Sequence, residues 1–369
     1  MKTILCIIQI PPPIHGVTLM NKYVIESEII TRKFNMSILP LNFNNNMQTL
    51  GRFSLVKVLK FLSSLFGLFK RLLVHKIDLV YFTINPTGRA FYRDLLYVVI
   101  LKLFRVPHVY HIYGKGIREQ IHNKKHVRRI YRYAFSRAEI ICQSERLIYD
   151  IENISPKTPY ILPCGIPSTN DNGIRREEEK PYDILFFSNF NKQKGVIELI
   201  EILKLLNKRK SKFRAVIGGG GSDYSKAFLD NRLVEYGLDK HVTIIETFNS
   251  TQKFELFNRS RIFVFPTQNE SFGLVILEAM QAFLPVIASR EGAIPDLVIH
   301  DKTGYVLNKD DLEGFAEKID LLLSDNKKIN EMGINGNKHY NNHYRLKGFE
   351  EKLKDILETI ILKSAKRSN

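Results

Sequence analysis

Along the first half of the chain, short runs of β-branched and aromatic residues alternate with longer stretches whose apolar positions recur at helical spacing, the pattern of parallel βαβ units. The runs predict strands at 3–10 (TILCIIQI), 78–84 (DLVYFTI), 107–113 (PHVYHIY), 138–143 (AEIICQ) and 159–162 (PYIL). A polar, charged stretch with almost no apolar residues, 167–181 (PSTNDNGIRREEEKP), reads as a linker. Beyond it the alternation starts again, with strands at 182–188, 213–217, 242–245, 262–266 and 285–288 and a mostly helical tail from about Asp311 to Lys366. Two successive series of this kind predict an α/β protein with two doubly wound parallel sheets, one domain at 1–166 and a second at 182–345. Residues 346–369 read as a C-terminal helix placed to pack back on the first domain. Such sheets bind ligands at the carboxyl ends of their strands, so two of them facing one another are expected to enclose a cleft lined by strand-to-helix loops.

Length agrees, since 369 residues are enough for two ordinary cores. Cys6, Cys142 and Cys164 lie far apart with no CxxC pair, which supports neither a disulfide framework nor a structural zinc site and suits a reducing compartment. The apolar run after Lys2 continues straight into Pro11–Pro13 without a small-residue cleavage site, so it reads as a first strand rather than a signal peptide. No stretch reaches the roughly eighteen uninterrupted apolar residues of a spanning helix. A cytoplasmic protein is expected.

Charge narrows the partners. The net charge is +17, and residues 1–166 carry 24 Lys and Arg against 9 Asp and Glu, whereas 167–369 carry 31 against 29. A basic N-terminal half favours anionic lipid, nucleic acid or phosphorylated substrates. Within it, 53–76 (FSLVKVLKFLSSLFGLFKRLLVHK) interleaves Lys57, Lys60, Lys70, Arg71 and Lys76 with Leu, Val and Phe at helical spacing, and Lys124–Arg129 with Arg132 and Arg137 forms a second cluster. Such a helix either lies on an anionic membrane face or packs its apolar side on the sheet.

The chemistry concentrates in 266–280 (PTQNESFGLVILEAM), where Glu270 sits in a loop after the strand IFVFP and Glu278 lies inside the helix that follows. Glu270 can accept from sugar hydroxyls, and Glu278 can accept both ribose hydroxyls of a nucleotide, as an acidic residue does in dinucleotide folds. Between them the backbone N–H groups of Ser271, Phe272 and Gly273 open the helix, where the macrodipole favours a diphosphate. The E-x7-E spacing with FGLVILEAM inside it resembles the retaining GT-B glycosyltransferases of family 4, the glycosyl transferases group 1. The runs Pro285–Ala288, Gly292–Val298 and Gly304–Val306 continue the likeness, which covers nearly the whole chain and is strongest over 183–310.

The resemblance implies a GT-B architecture, two Rossmann-like domains facing across a cleft, and retaining transfer from a UDP- or GDP-sugar without a cofactor. In 188–196 (SNFNKQKGV) it places Lys194 on the donor diphosphate, as a cation offsetting charge on the departing nucleotide. Asn189 stands where the family often has Arg, which gives a hydrogen-bond donor in place of a bidentate fork. The loop with Gly16 faces the donor phosphates, and His15 either touches the acceptor or caps the helix. In 111–117 (HIYGKGI) the family's His position before the glycine is occupied by Tyr113. Strand side chains alternate, so His111 shares its face and is the narrow first choice for the site. Gly218–Gly221 read equally as a ligand-approaching turn or a flexible one. No D-x-D motif is present, so no required metal is expected. The catalytic candidates are therefore Glu270, Lys194 and His111. The expected partners are a nucleotide sugar, a saccharide or lipid-linked saccharide of bacterial surface polysaccharide, and an anionic inner membrane surface, with no nucleic acid. A nucleotide-sugar 2-epimerase and a non-catalytic basic membrane- or nucleic-acid-binding protein are the rival readings; the first leaves 53–76 without a purpose and the second leaves the spaced glutamates unexplained.

Overall fold

A computed structural model describes residues 1–41, 55–168, 180–246 and 250–368. The chain forms two compact units, Met1–Cys164 with Leu346–Asn369, and Gly165–Arg345. Most of the predicted linker, 169–179, and the first two residues of the 53–76 stretch lie outside the described residues. The second unit begins at Gly165 because its backbone is already held there: Ile166 N–H donates to Tyr344 O at 3.0 Å, and Tyr340 Oη donates to Ile166 O at 3.0 Å.

The first unit is a six-stranded parallel sheet of β1 (Lys2–Ile8), β2 (Phe34–Pro40), β3 (Leu79–Phe82), β4 (His108–Ile112), β5 (Glu139–Cys142) and β6 (Tyr160–Ile161), in the order β2-β1-β3-β4-β5-β6. Its helices are α1 (Gly16–Glu26), α2 (Glu28–Thr31), α3 (Leu55–Val74), α4 (Gly88–Leu103), α5 (Ile117–Ile121) and α6 (Lys125–Phe135). Strands buried on both faces read as continuous apolar runs, as β1 and β3 largely do, whereas β4 is buried throughout yet carries His108 and His111. Strand β2 is a finding that the hydrophobic pattern does not announce: its sequence FNMSILP mixes polar residues into the run and ends in proline, which a sheet tolerates at the edge position this strand holds.

The second unit repeats the plan with β7 (Tyr182–Phe187), β8 (Ala215–Gly219), β9 (Val242–Glu246), β10 (Ser260–Phe265), β11 (Val286–Ser289) and β12 (Gly304–Leu307), in the order β12-β11-β10-β7-β8-β9. Its helices are α7 (Val196–Lys208), α8 (Lys226–Glu235), α9 (Ser250–Asn258), α10 (Leu274–Gln281), α11 (Ile294–Leu297), α12 (Leu312–Leu323) and α13 (Asn326–His343). The last helix, α14 (Leu346–Ser368), belongs to the first unit, where Lys33 pairs with Glu358 at 2.5 Å and Lys363 Nζ donates to Tyr160 Oη at 2.8 Å.

Strand order decides where a ligand goes. In the second unit the chain runs outward in both directions from the adjacent pair β7 and β10, so their carboxyl ends form the topological switch point, the place where open α/β sheets leave a crevice. The loops that leave those two strands are 188–195 and 266–273.

Candidate active site

The two switch-point loops are fastened to one another by backbone. Gln193 O accepts from Gln268 N–H at 2.8 Å, from Asn269 N–H at 3.1 Å and from Thr267 Oγ1 at 2.9 Å. Such close approach needs Gly195, whose φ is +82° and where an added Cβ would stand 2.0 Å from Pro266 O. Gly195→Ala is therefore expected to cost at least about 1–3 kcal/mol for the left-handed backbone alone, with the clash in addition. A fall in Tm of several degrees would show it, and an unchanged Tm would mean that the loops are not held this way.

That fastening brings Lys194 and Glu270 together from 76 positions apart. Lys194 Nζ lies 2.7 Å from Glu270 Oε2, with both side chains mostly buried. Glu270 Oε1 in turn accepts from Ser271 N–H at 3.0 Å. This corrects one expectation: Ser271 N–H is not open at the helix mouth, because the carboxylate beside it curls back onto it. Gly273, with φ +92°, caps α10 in the left-handed region, and Phe272 is buried against Tyr344. The turn at Gly292 closes over the same loop, since Ala293 N–H donates to Ser271 O at 2.9 Å and a Cβ on Gly292 would stand 2.4 Å from the carbonyl oxygens of Glu270 and Ser271.

Glu278 projects from the second turn of α10. Its Oε1 pairs with Lys253 Nζ at 2.5 Å, while Oε2 is buried and has no partner among the described residues. A buried carboxylate oxygen of this kind is able to accept a further hydrogen bond. Lys253 also lies over the Phe187 ring at 5.0 Å. Sequence reasoning missed it, because nothing in α9 marks that lysine as the neighbour of a glutamate 25 positions on. Asn189 is exposed at the end of β7, and its carbonyl accepts from Asn191 N–H at 2.9 Å. The glycine run is accounted for by packing: Gly219 lies so close to Ser188 O that a Cβ would stand 1.8 Å from it, and Phe190 N–H donates to Gly220 O at 2.7 Å.

In the first unit, His15 occupies the N-cap of α1 with extended backbone. Its N–H donates to Thr18 Oγ1 at 3.0 Å, and Gly16 is exposed as the first helical residue. Burial pushes the His15 imidazole below its usual value. His111 and Tyr113 do share a face, with rings stacked at 4.1 Å. His111, however, is fully buried, its Nδ1 hydrogen-bonded to Tyr81 Oη at 2.7 Å and its Nε2 without a partner among the described residues. In this arrangement the imidazole does not itself meet solvent, and Tyr113, though half-buried as a residue, also has its hydroxyl buried.

Desolvation lowers the His111 pKa to about 3 and that of His108 on the same strand to about 4. Both are neutral in the fold at neutral pH, whereas in the unfolded chain they take up a proton near pH 6.5. The unfolded state thus binds more protons below pH 6.5, and stability falls as pH drops from 6.5 toward 4, by up to about 1.4 kcal/mol per pH unit for each histidine. Melting curves between pH 7 and 5 should show this fall. His111→Gln should remove roughly one proton's share of the slope; an unaltered slope would show that the ring is not buried neutral.

The fold has the form of the GT-B architecture. Residues 168–339 match the family described as glycosyl transferases group 1. Over 256 residues the chain is 28% identical to the capsular polysaccharide biosynthesis glycosyltransferase CapM of Staphylococcus aureus, covering 62% of this chain and 64% of CapM. It is also 28% identical over 139 residues to the GDP-mannose:cellobiosyl-diphosphopolyprenol alpha-mannosyltransferase of Xanthomonas oryzae pv. oryzae, 38% of this chain and 37% of that one. In both cases the match spans less than two thirds of the relative's own length. Among solved structures, Anabaena HepE in complex with UDP superposes with a TM-score of 0.72 over 97% of this chain and all of HepE, at 17% identity, a likeness of fold.

Proposed function

We propose that the chain is a retaining glycosyltransferase that moves a hexosyl group from a UDP- or GDP-sugar to a lipid-linked saccharide during assembly of a bacterial surface polysaccharide. The observation that carries the reading is the meeting of Lys194 and Glu270 at the switch point of the second sheet, with the open oxygen of Glu278 one helix turn beyond. The names of CapM and the diphosphopolyprenol mannosyltransferase support the polysaccharide setting and the lipid-linked acceptor.

The roles follow from the chemistry. Glu278 accepts the ribose hydroxyls, Glu270 accepts from hydroxyls of the transferred sugar, and the Lys194 ammonium, which spends one of its three donors on Glu270, keeps two for the diphosphate. As the bond between the anomeric carbon and the phosphate oxygen breaks, its electron pair goes to the nucleotide. Lys194 stabilises that growing charge, the service a metal gives in enzymes that use one. The acceptor hydroxyl attacks from the same face and yields its proton to a donor phosphate oxygen, so no carboxylate base is needed. In the second unit Asn189 is offered to the donor; in the first unit Gly16, His15 and Tyr113 are the positions offered to substrate, with His111 stacked on Tyr113. The work is done at the cytoplasmic face of the membrane.

The test is product analysis with UDP- and GDP-sugars and a polyprenyl-diphosphate oligosaccharide acceptor. Transfer with the anomeric configuration kept supports the proposal. Inversion would contradict the mechanism, an epimerised free nucleotide sugar would mark a 2-epimerase, and no turnover with any donor would favour a binding protein.

A further inference from the structure

Helix α3 carries apolar residues on two faces, and the fold uses only one. Phe61, Leu65, Leu68 and Leu72 pack on the core of the first unit. Leu62, Phe66, Phe69 and Leu73 repeat the helical spacing on another face and stay exposed, Leu62 at 53% and Phe66 at 68%. The neighbouring α4 does the same. Its Phe91, Tyr97, Val98 and Leu101 are buried, while Tyr92, Leu96, Val99 and Leu103 run along its outside, Leu103 at 71%. The two helices are in contact, and Phe69 meets Phe104 at the end of α4 edge to face, with ring centroids 5.2 Å apart. One face of α3 therefore packs on the sheet, as one reading of this stretch expects, and a second apolar face is left exposed.

Charge says what covers the outer face. Helix α3 has no acidic residue, and the one carboxylate in α4, Asp94, is buried and held by Arg93 and Asn85. Lys60, Lys70, Arg89 and Arg105 are exposed around the apolar stripes. At the carboxyl end of α4 a pocket of about 330 Å³ opens among Lys102, Arg105, Arg137 and Lys157, and the single acid lining it, Glu139, is paired with Lys157 at 2.7 Å. A protein partner facing two apolar stripes would ordinarily meet both signs of charge at the rim, whereas an anionic bilayer asks for cations alone.

We propose that α3 and α4 together form a docking face for an anionic lipid bilayer, lying in its interface with the apolar stripes down and the pocket at the end of α4 over a headgroup phosphate. The inference takes its purpose from the membrane-side reading proposed above, and it names the surface.

Flotation of the full chain with vesicles tests it. The protein should float with phosphatidylcholine/phosphatidylglycerol vesicles, far less with phosphatidylcholine alone, and less as salt rises. Leu62→Ser/Phe66→Ser on α3 and Leu96→Ser/Val99→Ser/Leu103→Ser on α4 should each lower binding roughly tenfold or more, and Arg105→Ser/Arg137→Ser should lower it on the anionic vesicles. All these residues are exposed, so melting temperature and nucleoside-diphosphate binding should stay as in the parent. An α4 variant that floats like the parent, equal binding to uncharged vesicles, or a chain that ignores vesicles and pairs with a second copy through these helices would each overturn the proposal. Flotation without nucleotide binding would sink the enzyme reading and leave the docking face standing.

Discussion

Replacing Glu278 with alanine is expected to weaken donor binding by about 1.5–3 kcal/mol, roughly 10- to 150-fold, the usual worth of a hydrogen bond to a charged group. The expectation comes from the division of labour between its two oxygens. One is occupied by Lys253 at 2.5 Å, and the other is buried with no partner among the described residues. Lys253 thus fixes the carboxylate while leaving one acceptor for a hydroxyl. Glu278→Gln keeps the shape and one acceptor but weakens the pairing with Lys253, so it should fall between the parent and the alanine variant. Because the ribose does not change during the reaction, most of the loss should appear in the donor KM rather than in kcat. A Glu278→Ala enzyme with the parent's donor KM and kcat would remove this residue from the site.

Lys194→Ala should act on the other parameter. The ammonium is placed to meet charge that develops on the leaving diphosphate, and losing one such group typically lowers kcat about 10²–10³-fold. The pair with Glu270 is mostly buried, so removing the ammonium leaves a carboxylate without its counter-charge, and some fall in Tm is expected beside the kinetic effect. Arginine at 194 would restore the charge but not the compact geometry that lets one ammonium serve a carboxylate and a phosphate together, so partial rescue is expected. Single-turnover rates with saturating donor would separate the step affected. A kcat within a few-fold of the parent's would mean that the leaving group is stabilised elsewhere.

How much of this was legible in the chain depends on how local each signal is. The spacing of Glu270 and Glu278 and the glycine before α10 belong to one continuous segment, so strand, loop and helix could be read from it directly. The pairing of Lys194 with Glu270 depends on strand order, which no local pattern encodes; the family likeness pointed to Lys194, and the adjacency of β7 and β10 explains why it arrives there. Lys253 was invisible for the same reason, without a motif to help. At Ser271 the chain shows an N–H at a helix mouth, but only the fold shows the rotamer by which Glu270 occupies it. His111 looked available because alternation gives a side chain's face and not the depth of its strand, and β4 lies inside the sheet. For α3, periodicity announced an amphipathic helix but could not say that its apolar residues divide between two faces.

Calorimetric titration of UDP and GDP into the parent, Lys194→Ala and Glu278→Ala proteins tests most directly whether the loops leaving β7 and β10 form a nucleoside-diphosphate grip. At least one of the two nucleotides should bind the parent with a stoichiometry near one, and bind both variants more weakly by about tenfold or more. Binding to neither nucleotide, or binding that both variants retain in full, would contradict it.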